Sequence, residues 1–125
     1  MRHQVAGYKL SRSKDQRNAL RRTLINQLFT HEKIQTTRAK AMAIRGDAER
    51  LITLAKNAEK ASDVEKVNAR RLAASRMENA EMVKKLFEDI GPRFANRNGG
   101  YTRMFRLGLR QGDSAEMVRL ELVED

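Results

Sequence analysis

Residues 101–123 of the chain read YTRMFRLGLRQGDSAEMVRLELV, and this stretch decides the fold. In its first half Tyr101, Arg103, Phe105, Leu107 and Leu109 occupy every second position, which is the period of a β-strand. Residues 111–114 form the turn signal Gln-Gly-Asp-Ser, and a second alternating run follows it. The stretch therefore predicts an antiparallel hairpin with one buried face.

The hairpin needs other elements to cover it, because an isolated hairpin is only marginally stable in water. Residues 32–37 are short and β-prone, so they predict a third strand near residue 34. The rest of the sequence is typical of helices. Ser13, with Gln16 three residues later, forms a capping box that opens a helix to about Thr30.

Three more helices follow in the sequence. Thr36 or Thr37 caps a long helix to about residue 60, whose apolar stripe includes Ile44, Leu51 and Ala55. A second capping box at residues 62–65 opens a helix through about residue 76. Asn79 can cap a fourth helix, which we expect Gly91-Pro92 to end.

These elements predict an α+β fold in which four helices pack on a small antiparallel sheet. Residues 1–125 form a single domain near the usual size. Residues 1–12 lack any hydrophobic period and are interpreted as an extended basic arm, which a binding partner would order. Residues 13–90 are mainly helical, and residues 91–125 hold an Arg-rich loop and the hairpin.

Positive charge is concentrated in two blocks. The chain carries a net charge of +10 with a pI near 10.5. Residues 1–45 hold eleven Lys and Arg against two acids, and residues 91–112 hold five arginines and no acid. Between them, residues 46–90 hold nine cations and nine acids. Two basic blocks around a neutral middle favour a polyanionic partner, above all a nucleic acid.

Enzyme chemistry has little support in the sequence. Cysteine is absent, and the histidines, His3 and His31, have no second metal ligand at the usual spacing. Gly99-Gly100 is not followed by Lys-Ser/Thr, so it is no phosphate-binding P-loop. No apolar run is long enough for a membrane span or a signal peptide. We expect a cytoplasmic protein with no catalytic residue, metal, cofactor, small-molecule substrate or membrane partner.

The segment 92–103, PRFANRNGGYTR, suits folded RNA. Arginine grips phosphate with a planar fork, and Phe94 and Tyr101 offer faces on which bases stack. No acid lies nearby in the sequence to pair the arginines. The alternative is that Phe94 and Tyr101 belong to the core beside a basic loop.

The chain resembles the bacterial large-subunit ribosomal protein L-seventeen family. The residues that carry the resemblance are Met1-Arg2-His3, His31-Glu32, Thr36-Thr37, residues 51–56, Lys85-Leu86-Phe87, Gly91-Pro92-Arg93-Phe94, Gly99-Gly100-Tyr101-Thr102-Arg103 and Gly112-Asp113. The resemblance implies an α+β structural protein that binds large-subunit ribosomal RNA near the outer end of the nascent-peptide tunnel. It also implies neighbouring large-subunit proteins, including one of the L-thirty-two family.

We expect the RNA contacts in four groups along the chain. They are Arg2, His3, Lys9 and Arg12 in the arm; Lys14, Arg17, Arg21 and Arg22 in the first helix; Thr36, Thr37, Arg38 and Lys40 at the start of the second; and Arg93, Arg97, Tyr101, Arg103, Arg106 and Arg110 in the second block.

Two other classes of protein share this charge. A nucleoid-type architectural DNA-binding protein would also be basic, but it would dimerise, and the sequence has no clear heptad seam for a dimer. A basic peripheral membrane or partner-helix binder needs a helix whose basic and apolar faces lie opposite each other. The first helix lacks that arrangement, because Arg17 and Arg21 share a face with Leu24 and Leu28.

Overall fold

The computed structural model describes residues 7–123 and confirms the predicted α+β architecture. The helices are α1 (Lys14–His31), α2 (Arg38–Glu59), α3 (Asp63–Met77) and α4 (Ala80–Lys85), and the strands are β1 (Lys33–Thr37), β2 (Thr102–Leu109) and β3 (Glu116–Leu122). Residues 1–6, which include the predicted contacts Arg2 and His3, lie outside the described range. None of the described helices has the length and apolarity that crossing a membrane requires.

Local sequence sets where each helix begins. The side chains of Ser13, Thr37, Ser62 and Asn79 each accept a hydrogen bond from the backbone amide three residues later. At Ser13 the box is complete, since the Gln16 side chain also accepts from the Ser13 amide at 3.3 Å. A cap of this kind is worth about 1 kcal/mol, so each predicted start has a local physical cause.

The prediction that Gly91-Pro92 ends the fourth helix is wrong. After α4 the chain continues as a π-helical segment, Leu86–Ile90, and a last helical turn, Gly91–Arg93. The Gly91 amide donates to the Leu86 carbonyl, five residues back. A proline ring normally clashes with the carbonyl four residues earlier, and the wider π turn leaves room for the ring. Glycine before proline also avoids the usual penalty for helical backbone there, because it has no Cβ.

The three strands form an antiparallel sheet in the order β1-β3-β2. The hairpin of β2 and β3 and the third strand near residue 34 are therefore both confirmed. Lys33 pairs with Glu121, and Thr36 pairs with Val118. Between α1 and β1, Glu32 adopts a left-handed backbone with φ of 65°, and this turns the chain from helix to strand. The link between the first two helices is thus part of the same sheet as the C-terminal hairpin.

The apolar alternation of β2 does not mark the buried face of the sheet. Met104 stands opposite Leu120, and Thr102 stands opposite Leu122, so these pairs face the helices. Phe105, Leu107 and Leu109 remain 41%, 46% and 71% exposed. The register with β3 explains the exposure of Phe105, because Phe105 stands opposite Arg119, on the face away from the buried Val118, Leu120 and Leu122. Beyond Arg106 a β-bulge shifts the register, and Leu109 stands opposite Glu116.

The hydrophobic core lies between the helices and the inner face of the sheet. Its fully buried side chains include Leu28, Phe29, Ile44, Ile52, Leu86, Ile90, Phe94 and Leu120. Phe94 packs against Tyr101 with ring centroids 5.3 Å apart. At Gly91 the last helical turn approaches α2 so closely that a Cβ there would lie 3.1 Å from the Ala55 Cβ.

One charged side chain, Glu121, is buried in β3 on the outer face of the sheet, at 8% exposure. The Arg103 Nε lies 2.5 Å from its Oε1, and the Arg119 Nε lies 3.1 Å from its Oε2. The hydrogen bond from Arg103, with the charges of Arg103, Arg119 and Lys33, holds the pKa of Glu121 below its usual value, although burial acts in the opposite direction.

Replacing Gly91 by alanine tests the close contact with α2. We expect the Gly91→Ala variant to lose about 1–3 kcal/mol of unfolding free energy, because the new methyl would meet the Ala55 Cβ and the Leu86 carbonyl oxygen at 3.1 and 3.2 Å. Urea denaturation followed by circular dichroism measures the change.

The matched control is Gly46→Ala in α2, where a Cβ would meet nothing within 4 Å. Gly46 is exposed and lies inside the helix. We expect this change to stabilise the protein by about 0.5–1 kcal/mol, since alanine is the better helix former. Equal stabilisation by both substitutions would contradict the close contact at Gly91.

Acid should weaken the fold partly through Glu121. Because its pKa is lower in the folded chain than in the unfolded one, the unfolded chain binds more protons as the pH falls below the ordinary glutamate value. Glu121 then stabilises the fold above that value, and the stabilisation is lost as the pH falls through the depressed pKa. We expect Glu121→Gln to flatten the dependence of Tm on pH in this window, measured by thermal melting.

Glu116→Gln on the same strand is the control, because the Glu116 side chain is 41% exposed and lies 3.6 Å from Arg106. Its pH profile should follow that of the unmodified chain. If Glu121→Gln also followed that profile, Arg103 and Arg119 would not be holding Glu121 in its charged form.

Candidate nucleic-acid interface

Residues 7–12, the part of the arm that the structure describes, contact the first helix. The Arg21 Nη2 donates to the Tyr8 carbonyl at 3.4 Å, and the Arg12 Nη1 donates to the Leu10 carbonyl at 3.0 Å. Lys9 and Arg12 are exposed and lie just before the Ser13 cap. Residues 7–12 therefore continue the basic surface of α1.

The first half of α1 carries the predicted contacts Lys14, Arg17, Arg21 and Arg22. Lys14 and Arg17 form no ion pair within residues 7–123, whereas Arg22 has an internal role. The Arg22 Nη1 lies 3.2 Å from Glu78 Oε2, and its Nε donates to the Arg76 carbonyl at 3.3 Å. Arg22 thus fastens α1 to the end of α3.

The strand before α2, β1, pairs with β3 of the hairpin and so places the start of α2 beside the sheet. Thr36, Val118 and Arg106 lie in one row across the three strands, so Arg106 of the second basic block stands two strands away from the residue that precedes the Thr37 cap. Thr36 is only 9% exposed, and the Thr37 hydroxyl is occupied by the Lys40 amide. Arg38 is exposed, Lys40 is half-buried, and neither forms an ion pair within the described residues.

The expectation that no acid pairs the arginines of residues 92–103 is wrong, and the other arginines of the second block have acidic partners as well. Arg103 bonds to Glu121, Arg110 bonds to Asp113 at 2.6 Å, and Arg106 lies 3.6 Å from Glu116. These acids come from β3 and the hairpin turn, outside residues 91–112. The bond from Arg110 lowers the pKa of Asp113 to about 2.

Arg93, at the end of the last helical turn, forms ion pairs with two acids. It pairs with Glu32 at the end of α1 and with Asp89 at 3.1 Å on its own helix. Burial acts to lower the pKa of Arg93, but these two acids raise it above its usual value. Arg93 therefore joins the end of the last helix to the turn before β1, and part of its charge is used inside the protein.

The structure corrects the expected role of Tyr101, whose ring is buried at 3% exposure beside Phe94. Its hydroxyl bonds to the Lys56 Nζ at 2.9 Å, and the same ammonium lies 4.9 Å from the ring centroid. Burial acts to raise the pKa of Tyr101, yet the bonds with Lys56 and Thr53 lower it below its usual value. Neither Tyr101 nor Phe94 presents a free face for a base.

Residues 94–101 form a loop that hydrogen bonds from Lys56 and Arg97 hold in place. The Lys56 Nζ also donates to the Arg97 carbonyl, and the Arg97 Nε donates to the Gly100 carbonyl at 3.1 Å. Gly99 and Gly100 have φ of 86° and 61°, which only glycine adopts readily. Sequence reasoning missed Lys56, because it lies on α2, far along the chain from this loop.

The exposed aromatic ring of the second block is Phe105, which sequence reasoning did not select. The guanidinium carbons of Arg103 and Arg119 lie 5.4 and 5.1 Å from its ring centroid. Gln35 stands in the same row of the sheet as Arg119 and Phe105. The alternation of β2 was visible in the sequence and places Arg103 and Phe105 on one face, but the sequence does not show that this face is the outer one.

The predicted contacts that the structure describes thus divide into two kinds. Those of the arm, the first turn of α1 and the start of α2 mostly lack acidic partners within residues 7–123, while those of the second block are largely paired. No group of three or more His, Asp and Glu residues in that range is placed to hold a metal ion.

Comparison with known proteins gives a consistent result. A family model described as ribosomal protein L17 matches residues 20–123. A protein of Solibacter usitatus named large ribosomal subunit protein bL17 is 48% identical over 98% of this chain and 77% of its own length. A protein of Treponema denticola with the same name is 46% identical over 99% of this chain and 65% of its own length. The chain therefore belongs to the ribosomal protein L17 family.

Proposed function

We propose that this protein, a structural member of the ribosome rather than an enzyme, binds and stabilises large-subunit ribosomal RNA. Family membership supports a structural role in the ribosome, which is in the cytoplasm. The RNA contact is inferred from the charges. A structural protein of an RNA-rich particle needs cations that are not already neutralised by its own acids.

The observation that carries the proposal is the group of predicted contacts that have no acidic partner among the described residues and lie together on the arm and at the starts of α1 and α2. Within residues 7–123 these include Lys9, Lys14, Arg17, Arg38 and Lys40, on the arm and at the starts of two helices. Unpaired cations release counterions when they meet phosphates, and the affinity they provide falls steeply with salt. The arginines of the second block contribute where RNA phosphates replace their exposed acids, as at Arg106 and Arg110.

Neutralising three unpaired cations tests this surface. We expect the triple variant Lys14→Gln, Arg17→Gln, Arg38→Gln to bind large-subunit ribosomal RNA at least tenfold more weakly in about 100 mM salt, since each lost phosphate contact removes about 0.7–0.9 from the salt slope. Filter binding across a salt titration gives both quantities. Thermal melting should be nearly unchanged, because none of the three side chains forms an ion pair within the described residues.

The matched control removes the same charge from the helical middle, with Lys60→Gln, Lys66→Gln and Lys84→Gln. These lysines are exposed and are not among the proposed contacts. We expect their loss to change RNA affinity by less than about threefold, through general charge alone. Equal losses in the two triple variants would mean that net charge, and not this surface, provides the affinity.

The nucleoid-type DNA-binding alternative gains no support from the family comparisons. It is separated from the proposal by competition in the same assay. Folded ribosomal RNA should displace labelled ribosomal RNA at concentrations where an equal mass of duplex DNA does not. Equal competition by both would favour the alternative.

We also propose that the protein lies near the outer end of the nascent-peptide tunnel, beside a member of the L-thirty-two family. The resemblance of the whole chain to its family supports this location. The chain has no cysteine, so a single Gln111→Cys substitution at the exposed hairpin turn provides one defined attachment point for a crosslinker.

Crosslinking of large subunits that carry the Gln111→Cys variant tests the location. We expect mass spectrometry to identify crosslinks to proteins around the tunnel exit, with the L-thirty-two family member among them. The unmodified chain, treated in the same way, should give none. Crosslinks only to proteins far from the exit would contradict the location and leave RNA binding itself untouched.

A further inference from the structure

A groove of about 430 Å³ runs between α1, which belongs to the first basic block, and the parts of α2 and α3 that lie in the neutral middle of the sequence. Four arginines line it, namely Arg21, Arg22, Arg50 and Arg76. They come from three helices, so no local stretch of sequence reveals the cluster. Ile25 and Leu51, from the buried faces of α1 and α2, also line the groove and give it an apolar base.

Arg21 is incompletely satisfied in this groove. Its Nε is buried and has no hydrogen-bond partner, and its Nη2 reaches the Tyr8 carbonyl only at 3.4 Å. A buried N–H of a guanidinium without an acceptor is costly to the free protein. An anion in the groove would supply the missing acceptor.

The other three groove arginines, Arg22, Arg50 and Arg76, differ in how firmly the protein already binds them. Arg22 is fixed by Glu78 and by the Arg76 carbonyl, so the wall that joins α1 to α3 is already organised. Arg50 pairs with Asp47 at 2.8 Å, but its side chain is 73% exposed, and exposed pairs of this kind are weak. Arg76 forms no ion pair with an acid within residues 7–123.

We propose that this arginine groove binds phosphates of the ribosomal RNA backbone. Arginine forks match phosphate oxygens in pairs, and an apolar base strengthens each such bond by excluding water. RNA is favoured over an acidic protein segment because the groove adjoins the unpaired cations of the arm, through the contact between Arg21 and Tyr8. A strand following the arm and α1 would enter the groove without leaving the basic surface.

This inference rests on the proposed RNA-binding function and adds Arg50 and Arg76, from the neutral middle of the chain, to the contacts. The experiment compares two double variants of the full chain in binding to large-subunit ribosomal RNA. Arg50→Gln with Arg76→Gln removes two groove arginines. Arg45→Gln with Arg71→Gln removes the same charge from exposed positions on the same two helices, outside the groove.

We expect the groove variant to bind RNA about tenfold more weakly and to lower the salt slope by about 1.4–1.8, as the loss of two phosphate contacts requires. The control should stay within about threefold of the unmodified chain. Losses of the same size in both variants, or no loss in the groove variant, would overturn the groove. If thermal melting shows that the groove variant is unstable, Arg50→Lys with Arg76→Lys keeps the charge and removes the forks, and it should still lose affinity.

A direct readout uses the nitrogen–proton signal of Arg21 Nε in NMR spectra. Inorganic phosphate should shift this signal in the unmodified chain and much less in the Arg50→Gln, Arg76→Gln variant. A shift caused by a polyglutamate peptide but not by phosphate would assign the groove to an acidic protein partner and overturn the proposal. The proposed function fails separately, if the unmodified chain shows no preference for ribosomal RNA over duplex DNA.

Discussion

The pairing of β1 with β3 is the constraint on which the rest of the structure depends. β1 is the five-residue link between α1 and α2, and every one of its residues pairs with the last strand of the chain. The Leu122 amide continues this ladder by donating to the Glu32 carbonyl at 2.9 Å. The Lys85 Nζ donates to the Phe29 carbonyl at 2.7 Å, and Arg93 pairs with Glu32 beside it. The first helix, the last helical turn and the last strand therefore meet at the corner where α1 ends.

This convergence explains why the two basic blocks behave differently. The first block, residues 1–45, holds only two acids of its own, Asp15 and Glu32. The second block is drawn against β3, whose Glu116 and Glu121 pair with Arg106 and Arg103. Exposed ion pairs are weak in water, so a phosphate can replace the acid at Arg106 more readily than at Arg103, whose partner is buried. The surface thus combines free, exchangeable and structural arginines.

The sequence predicted the features that have local causes. Caps at Ser13, Ser62 and Asn79 and the two strands of the hairpin depend on residues a few positions apart, and all are present in the structure. The features it missed depend on contacts between distant residues. Lys56 and Phe94 bury Tyr101, Glu32 pairs with Arg93, and the register with β3 turns Phe105 outward. The helix end at Gly91-Pro92 was missed because a π turn, which has no simple sequence signal, absorbs the proline.

The exposed apolar side chains of β2 affect the free protein, before it joins any assembly. β2 is an edge strand, and it exposes Phe105, Leu107 and Leu109 along a run of eight residues. Edges of this kind tend to pair with other chains and aggregate. Among free molecules, the net charge of +10 opposes such association by mutual repulsion. Concentrated salt, which strips RNA from basic proteins, also screens that repulsion. Purification in high salt therefore weakens the repulsion that keeps free molecules of this protein apart.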